Sequence, residues 1–338
     1  MKIAILTRAN YRSPRILAEA LKSQLELKKA TVEIYYELNI LNRLVSYKNS
    51  KLNFHFWLKK KLLNYIRDKQ RIKKLKQYDA IIISECCPNA FWKKLYNIEK
   101  LKKIFQKPVL FYEVYYLGNA PYQIKKLTDN DEPLIDRYDL HLAVSEVTEI
   151  RQKPSDKWFG IGLYAKSWNL FPLPKKEFIA IVDFIQKGFE NYRQVQINAL
   201  NKAGIKYIIL EKEYDISGIR EIYKNGALFF LQFPEAFGIS TLECLCTGNQ
   251  IFTPDSNWPL SWRLDKNPTL YSKGTLPECF TVYNDEEDLV KKLVSFKDQY
   301  DLINTPQLIF QCLIKTYPSF YYGNENELLR VLNNLKNT

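Results

Sequence analysis

Residues 226–254, with the sequence GALFFLQFPEAFGISTLECLCTGNQIFTP, constrain the fold more than any other part of the chain. Residues 227–233 form a short apolar run without a period, which predicts a strand buried on both faces. Apolar residues then recur at helical spacing between Gly238 and Gly248, and Ile251 opens a second buried strand. The order strand, loop, helix, strand predicts a parallel α/β unit.

In such a unit the loop and the helix N-terminus lie at the carboxyl edge of the sheet, where free N–H groups and the helix dipole favour an anion. Glu235 and Glu243 bracket this loop with seven residues between them. Either the two acids only favour the first turn of a helix, or they accept hydrogen bonds from ligand hydroxyls. A nucleoside diphosphate sugar carries both phosphates and hydroxyls. The amides expected to bind its phosphates are those of Gly238, Ile239, Ser240, Thr241 and Leu242.

The segment Glu235-Ala-Phe-Gly-Ile-Ser-Thr-Leu-Glu243, followed by Cys-Leu-Cys-Thr-Gly, resembles the Glu-x7-Glu signature of the retaining family 4 glycosyltransferases, which have the GT-B fold. The resemblance implies an α/β chain of two Rossmann-like domains facing across a cleft, a nucleoside diphosphate sugar as donor, retention of anomeric configuration, and no tightly bound cofactor or metal. It implies that Glu235 holds sugar hydroxyls and Glu243 the ribose. Lys187-Gly188 is similar to the family's Lys-Gly pair, so Lys187 is expected to act with Glu235 in catalysis by neutralising the diphosphate.

The chain departs from the family pattern at three places. The usual Gly-Arg before the Lys-Gly pair is absent, and Asp183 stands in that region. The family's N-terminal histidine near the sugar has no clear match, because Glu113 occupies that region. The first loop, usually glycine-rich, carries Arg8 and Arg12 instead, which we expect to contact a phosphate or an acidic acceptor if they do not form surface salt bridges.

The remaining pattern predicts two α/β domains in a chain of 338 residues, of which 46% are hydrophobic. We expect an acceptor domain over residues 1–170, a donor domain over 171–320, and a C-terminal helix over 321–338 that crosses back to the first domain. Short apolar runs separated by helical stretches predict the strands. They cover residues 3–6, 32–36, 80–84, 109–112, 140–144, 177–183 and 205–210.

The net charge of +13 is concentrated in residues 1–78, which hold 19 Lys and Arg against 5 Asp and Glu. Residues 51–76 form a basic amphipathic stretch, which predicts either a solvated helix face or contact with an anionic membrane surface or polyanion. The sequence contains neither a long apolar run nor a signal peptide, and its six cysteines lack metal spacing. We therefore expect a cytoplasmic chain, without a zinc site because only His55 and His141 are available.

The expected acceptor is a saccharide, a lipid-linked molecule or another acceptor, and the sequence does not identify it, because acceptor loops carry the specificity and no motif encodes it. Three other functions fit parts of the sequence. Asp129 and Asp131 could hold a divalent cation in a metal-dependent glycosyltransferase of the other major fold, but they lie in a polar run with no strand directly before it, which favours an exposed loop. The missing arginine and histidine fit a non-catalytic GT-B-like module that binds a sugar nucleotide. The basic N-terminal part fits a protein that binds or glycosylates nucleic acid.

Overall fold

The computed structural model describes residues 1–8, 12–37, 73–85, 98–114, 137–145, 157–235, 237–265 and 273–337. Several sequence features lie outside these described ranges. They are the basic residues 51–72, His55, Cys86 and Cys87, Asp129 and Asp131, and the side chain of Arg8.

The described strands form two wholly parallel sheets. The first sheet contains β1 (Lys2–Arg8), β2 (Thr31–Glu37), β3 (Ala80–Glu85), β4 (Val109–Glu113), β5 (Leu140–Ala143) and β6 (Trp158–Gly160) in the order β2-β1-β3-β4-β5-β6. The second contains β7 (Ile179–Val182), β8 (Lys206–Ile209), β9 (Leu228–Phe230), β10 (Gln250–Thr253) and β11 (Phe280–Val282) in the order β11-β10-β9-β7-β8. Each sheet starts in its interior and reverses direction after its second strand, as doubly wound folds do.

Helices connect and cover the strands. Those with described bounds are α1 (Arg12–Glu26), α2 (Ile98–Phe105), α3 (Glu190–Lys202), α4 (Ile216–Asn225), α5 (Ile239–Cys246), α6 (Glu286–Gln299), α7 (Asn304–Thr316), α8 (Pro318–Tyr322) and α9 (Glu325–Lys336). Asp215, Asp285 and Asn324 cap α4, α6 and α9 by accepting a backbone N–H of the first turn. Short 3-10 turns cover Ala165–Trp168 and Leu260–Trp262.

The apolar core has three parts, because each sheet is buried on both faces. One cluster covers the outer face of the first sheet and contains Ile81, Val109 and Phe111. Another covers the outer face of the second sheet around Leu228 and Phe252. The third is continuous between the inner faces of the two sheets and also includes residues of α5, α8 and α9. Burial on both faces explains why the strands are almost wholly apolar.

The C-terminal helix α9 packs against the first sheet, although it follows the second in sequence. The N–H of Asn324 donates to the carbonyl of Ile161 at 2.8 Å, and the ammonium of Lys28 pairs with Glu325. Leu328 contributes to the continuous inner cluster. These contacts join the end of the chain to the end of α1 and to the segment after β6.

Some local details differ from the sequence expectation. Ser13-Pro14 predicts a helix capped by Ser13, but α1 begins at Arg12, so Ser13 lies in its first turn. Proline is tolerated throughout a first turn, where the N–H groups lack helical partners, and therefore does not mark the first residue. The strand expected over 227–233 is shorter, and β11, α7 and α8 are additional elements without a strong sequence signal.

Candidate functional site

The loop before α5 brings its backbone close to two polar side chains. Gly238 has φ +68°, and a Cβ built on it would lie 2.6 Å from Thr241 Oγ1 and 2.9 Å from Glu235 Oε2. Only glycine accepts both this backbone conformation and this crowding without strain. Thr241 and Glu235 therefore face the same small space beside the first turn of α5.

The first turn of α5 offers fewer amides than the sequence predicts. The N–H of Leu242 donates to the carbonyl of Gly238 at 3.1 Å and is the first bond of the helix. The prediction that the Leu242 amide binds phosphate is therefore wrong, because this N–H already donates within the helix. The side chain of Leu242 lies in the core. The amides of Ile239, Ser240 and Thr241 precede any intrahelical acceptor and stay candidates.

Thr241 carries an unused hydroxyl. Its side chain is fully buried, and Oγ1 has no hydrogen-bond partner among the described residues. Buried hydroxyls are nearly always satisfied by protein or by a bound molecule. Together with the helix N-terminus, this orphan hydroxyl indicates a site for a hydrogen-bonding ligand, and the helix dipole favours an anion there.

Two carboxyl groups lie at the switch point of the second sheet, where the chain order reverses between β7 and β9. Asp183 follows β7 directly, and Glu235 follows β9 by a few residues. Burial raises the pKa of Asp183 to about 7, although Arg12 and Arg193 lower it. Burial and the charge of Asp183 raise the pKa of Glu235 to about 8. A carboxyl that keeps its proton can donate as well as accept a hydrogen bond, and a ligand hydroxyl can pair with it in either direction.

Glu243 is held from both sides of the cleft between the two sheets. Its side chain is not exposed, and Arg220 on α4 donates to Oε1 at 2.8 Å. Arg12, the first residue of α1 in the other half of the molecule, donates through Nη2 to Oε2. The guanidinium of Arg220 also lies 5.2 Å from the ring centre of Trp168. Both oxygens of the second acid in the motif thus have cationic partners.

A cavity of about 770 Å³ opens beside this ion-pair cluster. It lies between the start of α1, the segment after β6 and the first turns of α4. Its lining residues are Arg12, Arg15, Glu19, Trp168, Asn169, Leu170, Tyr214, Asp215, Ile216, Ser217, Arg220, Glu221 and Lys224. The volume is in the range of small-molecule sites, and aromatic and cationic groups line it together.

The other candidate residues lie apart from Glu243. Lys187 is exposed in the turn between β7 and α3, at the same sheet edge as Gly238. Glu113 ends β4 in the first sheet, is fully buried, and its Oε1 lies 2.7 Å from Nε2 of His141. Arg8 is the last residue of β1. Of the predicted cations, the described contacts therefore bring only Arg12 to the Glu-x7-Glu motif.

Sequence reasoning missed three residues of this site. Arg220 resembles any other cation on an amphipathic helix, and Trp168 lies next to the expected domain boundary at residue 170, in a segment without a motif. Asp183 was noted only for standing where an arginine was expected. A carboxylate directly after a buried strand is a usable signal, because the carboxyl ends of parallel strands meet at one edge.

The described ranges contain neither a candidate metal site nor a candidate membrane span. No three His, Cys, Asp or Glu side chains there come together as a metal site. None of the helices described is both long and apolar enough to cross a lipid bilayer.

No protein-family model and no curated protein matches the chain at significant similarity. Solved structures do resemble it over nearly its full length. The Anabaena protein Alr3699/HepE in complex with UDP and glucose has a TM-score of 0.55 and 11% identity, with 100% of each chain covered. The catalytic domain of Arabidopsis thaliana starch synthase IV, bound to ADP and acarbose, has a TM-score of 0.54 and 12% identity over 95% of this chain and 98% of that one.

A putative UDP-N-acetylglucosamine 2-epimerase from Listeria monocytogenes is similar as well, with a TM-score of 0.54 and 12% identity over 98% of this chain and 94% of that chain. At such low identity these likenesses show the fold alone. They confirm the predicted GT-B architecture, with two parallel-sheet α/β domains.

Proposed function

We propose that the chain is a glycosyltransferase that transfers a hexosyl group from a nucleoside diphosphate sugar to a hydroxyl-bearing acceptor. The observation that carries the proposal is the buried, unpartnered Thr241 hydroxyl at the N-terminus of α5, beside Glu235 at the switch point. A diphosphate satisfies the hydroxyl and the first-turn amides, and a sugar satisfies the carboxyl. Similar structures that hold UDP with glucose, or ADP, support this type of ligand.

The cavity beside Arg220 has room for the nucleoside of the donor. In this arrangement the diphosphate points from the cavity towards Ile239, Ser240 and Thr241, and the sugar lies against Glu235 and Asp183. Lys187, at the same sheet edge, supplies positive charge to the leaving diphosphate. Preorganised charge of this kind is usually the largest contribution to such a reaction. Membership of family 4 and retention of configuration, which Glu-x7-Glu implies, belong to the same proposal.

The domain roles follow from this assignment. Residues 171–320 would bind the donor, residues 1–170 the acceptor, and residues 321–338 would join the two. The acceptor class proposed is a saccharide or a lipid-linked saccharide. The basic residues 51–76 would bring the chain to an anionic membrane surface where such acceptors lie, and salt should weaken that attraction. Binding to nucleic acid is the competing role of the same residues.

The test begins with the melting temperature of the chain in the presence of UDP, GDP, TDP and ADP sugars, since a ligand that binds the folded state raises it. The donor found in this way is then incubated with candidate acceptors, and the products are identified by NMR. The NMR spectra distinguish transfer, hydrolysis and epimerisation. If no nucleotide sugar binds, the proposed function is wrong.

The Thr241→Val variant tests the site itself. The hydroxyl has no partner in the described structure, so its loss should leave the melting temperature unchanged and weaken donor binding about tenfold, the scale of one charge-assisted hydrogen bond. Thr247→Val is the matched control, because Thr247 Oγ1 donates within the protein, to carbonyls that include Glu243 and Cys244. That variant should lose stability and keep its affinity. Equal effects on affinity from both variants would place the phosphate elsewhere.

A second candidate function is a binding module without catalysis. One observation favours it, since both oxygens of Glu243 are paired with arginines. Nucleotide-sugar binding without turnover on any saccharide or lipid-linked acceptor, and without hydrolysis, would support that function instead.

A further inference from the structure

The ion-pair cluster around Glu243 contains two arginines in different situations. Arg220 belongs to the same half of the molecule as Glu243, and its guanidinium lies against the ring of Trp168. Arg12 comes from the first half, and 31% of its side chain is exposed. The Nε atom of Arg12 is buried and lacks a hydrogen-bond partner among the described residues. Arg220 is thus supported on its own side of the cleft, whereas Arg12 reaches across it with part of its donor capacity unused.

The charge of Arg12 also acts at the carboxyl edge of the second sheet, although Arg12 belongs to the first half of the molecule. Its positive charge lowers the pKa values of Asp183 and Glu235, against the larger raising effect of burial. This sheet edge is where the diphosphate of a donor would lie. Asp183 occupies the region in which the sequence pattern predicts an arginine, so Lys187 lacks the second cation expected beside it, and the first half of the molecule can supply that charge.

A buried ion pair is difficult to open, because each separated charge loses its partner. A nucleoside diphosphate could open the pair between Arg12 and Glu243 without leaving either group alone. Its ribose hydroxyls would donate to the carboxylate, and its phosphates would accept from the guanidinium. A nucleoside without phosphates supplies only the hydroxyls. It would therefore have to displace Arg12 and leave that guanidinium without an anion.

We infer that Arg12 exchanges partners when the donor binds. In the structure it occupies Oε2 of Glu243; with a donor present, the ribose takes Oε2, Arg220 keeps Oε1, and Arg12 binds the diphosphate with its planar fork. Arg12 is then the missing phosphate cation, supplied by the facing domain. This inference rests on the proposed function. It means that Arg12 of the first domain changes its partner according to whether the second domain holds a nucleoside diphosphate.

The exchange predicts opposite effects of one substitution on two ligands. Isothermal titration of the full chain is performed with two pairs of probes, UDP with uridine and ADP with adenosine. Arg12→Ala should weaken binding of the diphosphate at least tenfold, because a phosphate cation is lost. The same substitution should tighten binding of the nucleoside severalfold, because its ribose no longer competes with Arg12 for Glu243. A residue with a merely structural role would weaken both ligands together.

Two other variants complete the experiment. Arg12→Lys keeps the charge but not the fork, so it should fold even if Arg12→Ala does not, and it should shift both affinities in the same directions by smaller factors. Lys22→Ala is the matched control, because Lys22 lies on the same helix α1 and pairs with Glu26, and neither residue lines the cavity. Both affinities of that variant should stay within twofold of the parent.

The outcomes separate the two proposals. Opposite shifts for diphosphate and nucleoside support the exchange. If the parent binds a diphosphate but both Arg12 variants change the two affinities by the same factor, or change neither, the exchange is wrong and the proposed function stands. If the parent binds none of the four probes and none of the nucleotide sugars, the proposed function fails and the exchange fails with it.

Discussion

At the scale of single residues, the site combines acids that prefer to keep their protons with an acid that is fully ion-paired. Asp183 and Glu235 have raised pKa values because burial opposes their charge. Glu243 is fully buried but accepts from two guanidinium groups. The three carboxyl groups therefore differ in their tendency to ionise. Their partners, rather than their residue type, determine this difference.

The raised pKa of Asp183 predicts how stability changes with pH. Its pKa is near 3.9 in an unfolded chain and about 7 in the folded protein. Between these values the folded state binds more protons, so this group's stabilisation is complete below about pH 4 and is lost as the pH rises through 7. Asp183→Asn does not titrate. Relative to the parent, the variant should therefore gain stability between pH 4 and pH 8, by at most about 4 kcal/mol.

Urea unfolding of both proteins at pH 5 and pH 8 measures this difference. Because pH 5 already lies above the unfolded pKa of about 3.9, the gain measured between the two pH values should be smaller than the upper bound. A variant that is less stable than the parent by the same amount at both pH values would show that Asp183 is ionised throughout the range.

At the scale of elements, the start of α5 is tightly constrained by its surroundings at Gly238. Gly238 has a left-handed backbone conformation and close polar neighbours, so the loop can approach a ligand with its amides. The helix is short and mostly buried, and its last turn is held by Thr247 and Asn249, which bond to carbonyls near its end. A rigid helix keeps its N-terminus aimed at one place.

Gly238→Ala should destabilise the chain more than an ordinary glycine substitution. The new methyl group would meet Thr241 Oγ1 and Glu235 Oε2 in addition to the unfavourable positive φ. Gly204→Ala is the control, because Gly204 also has a positive φ of +59° but nothing within 4 Å of its added Cβ. We expect a loss of about 1 kcal/mol for Gly204→Ala and about 2–3 kcal/mol for Gly238→Ala in urea unfolding.

Donor binding should follow the same order. Gly204 lies after α3 and should leave the affinity for a nucleotide sugar unchanged, whereas Gly238→Ala should reduce it strongly. Equal losses of stability in the two variants would mean that the loop has room to relax, and that close approach of the backbone is not what requires glycine at 238.

At the scale of the whole molecule, one continuous apolar cluster lies between the two sheets and extends into the C-terminal helices. Helix α9 contributes Leu328, Val331 and Leu332 to it, while its N-terminus is bonded to Ile161 and Lys28. The end of the chain therefore stabilises the half of the molecule in which the chain begins. The two halves share a core besides the ion pair between Arg12 and Glu243.

Leu328→Ala should test that shared core. Leu328 is fully buried, so the cavity left by the substitution should cost about 3 kcal/mol of unfolding free energy. Leu329→Ala changes the adjacent residue of the same helix, which is 39% exposed, and should cost less than about 1 kcal/mol. Tryptophan fluorescence during urea unfolding provides the measurement. If the two variants have the same stability, α9 does not stabilise the first sheet.

The sequence alone determined the fold class and predicted a place for the candidate site. Buried strands and amphipathic helices can be predicted from the spacing of apolar residues within a short segment. The motif from Glu235 to Glu243 can also be recognised locally, because its glycine and both acids lie within one short segment. The alternation of such segments predicted most strands of both sheets. Short or half-buried elements such as β11 and α8 were missed, because they lack a clear period.

Only the tertiary structure decided which side chains meet. Arg12 and Glu243 are 231 residues apart, and no local pattern connects them. Asp183 and Arg220 gain their roles from the parallel packing of β7, β9 and α4, which brings distant strand ends to one edge. The free amide predicted at Leu242 was lost for a related reason, because its partner depends on where the helix starts. Spacing reports local structure, whereas charge pairing across a cleft depends on the arrangement of whole domains.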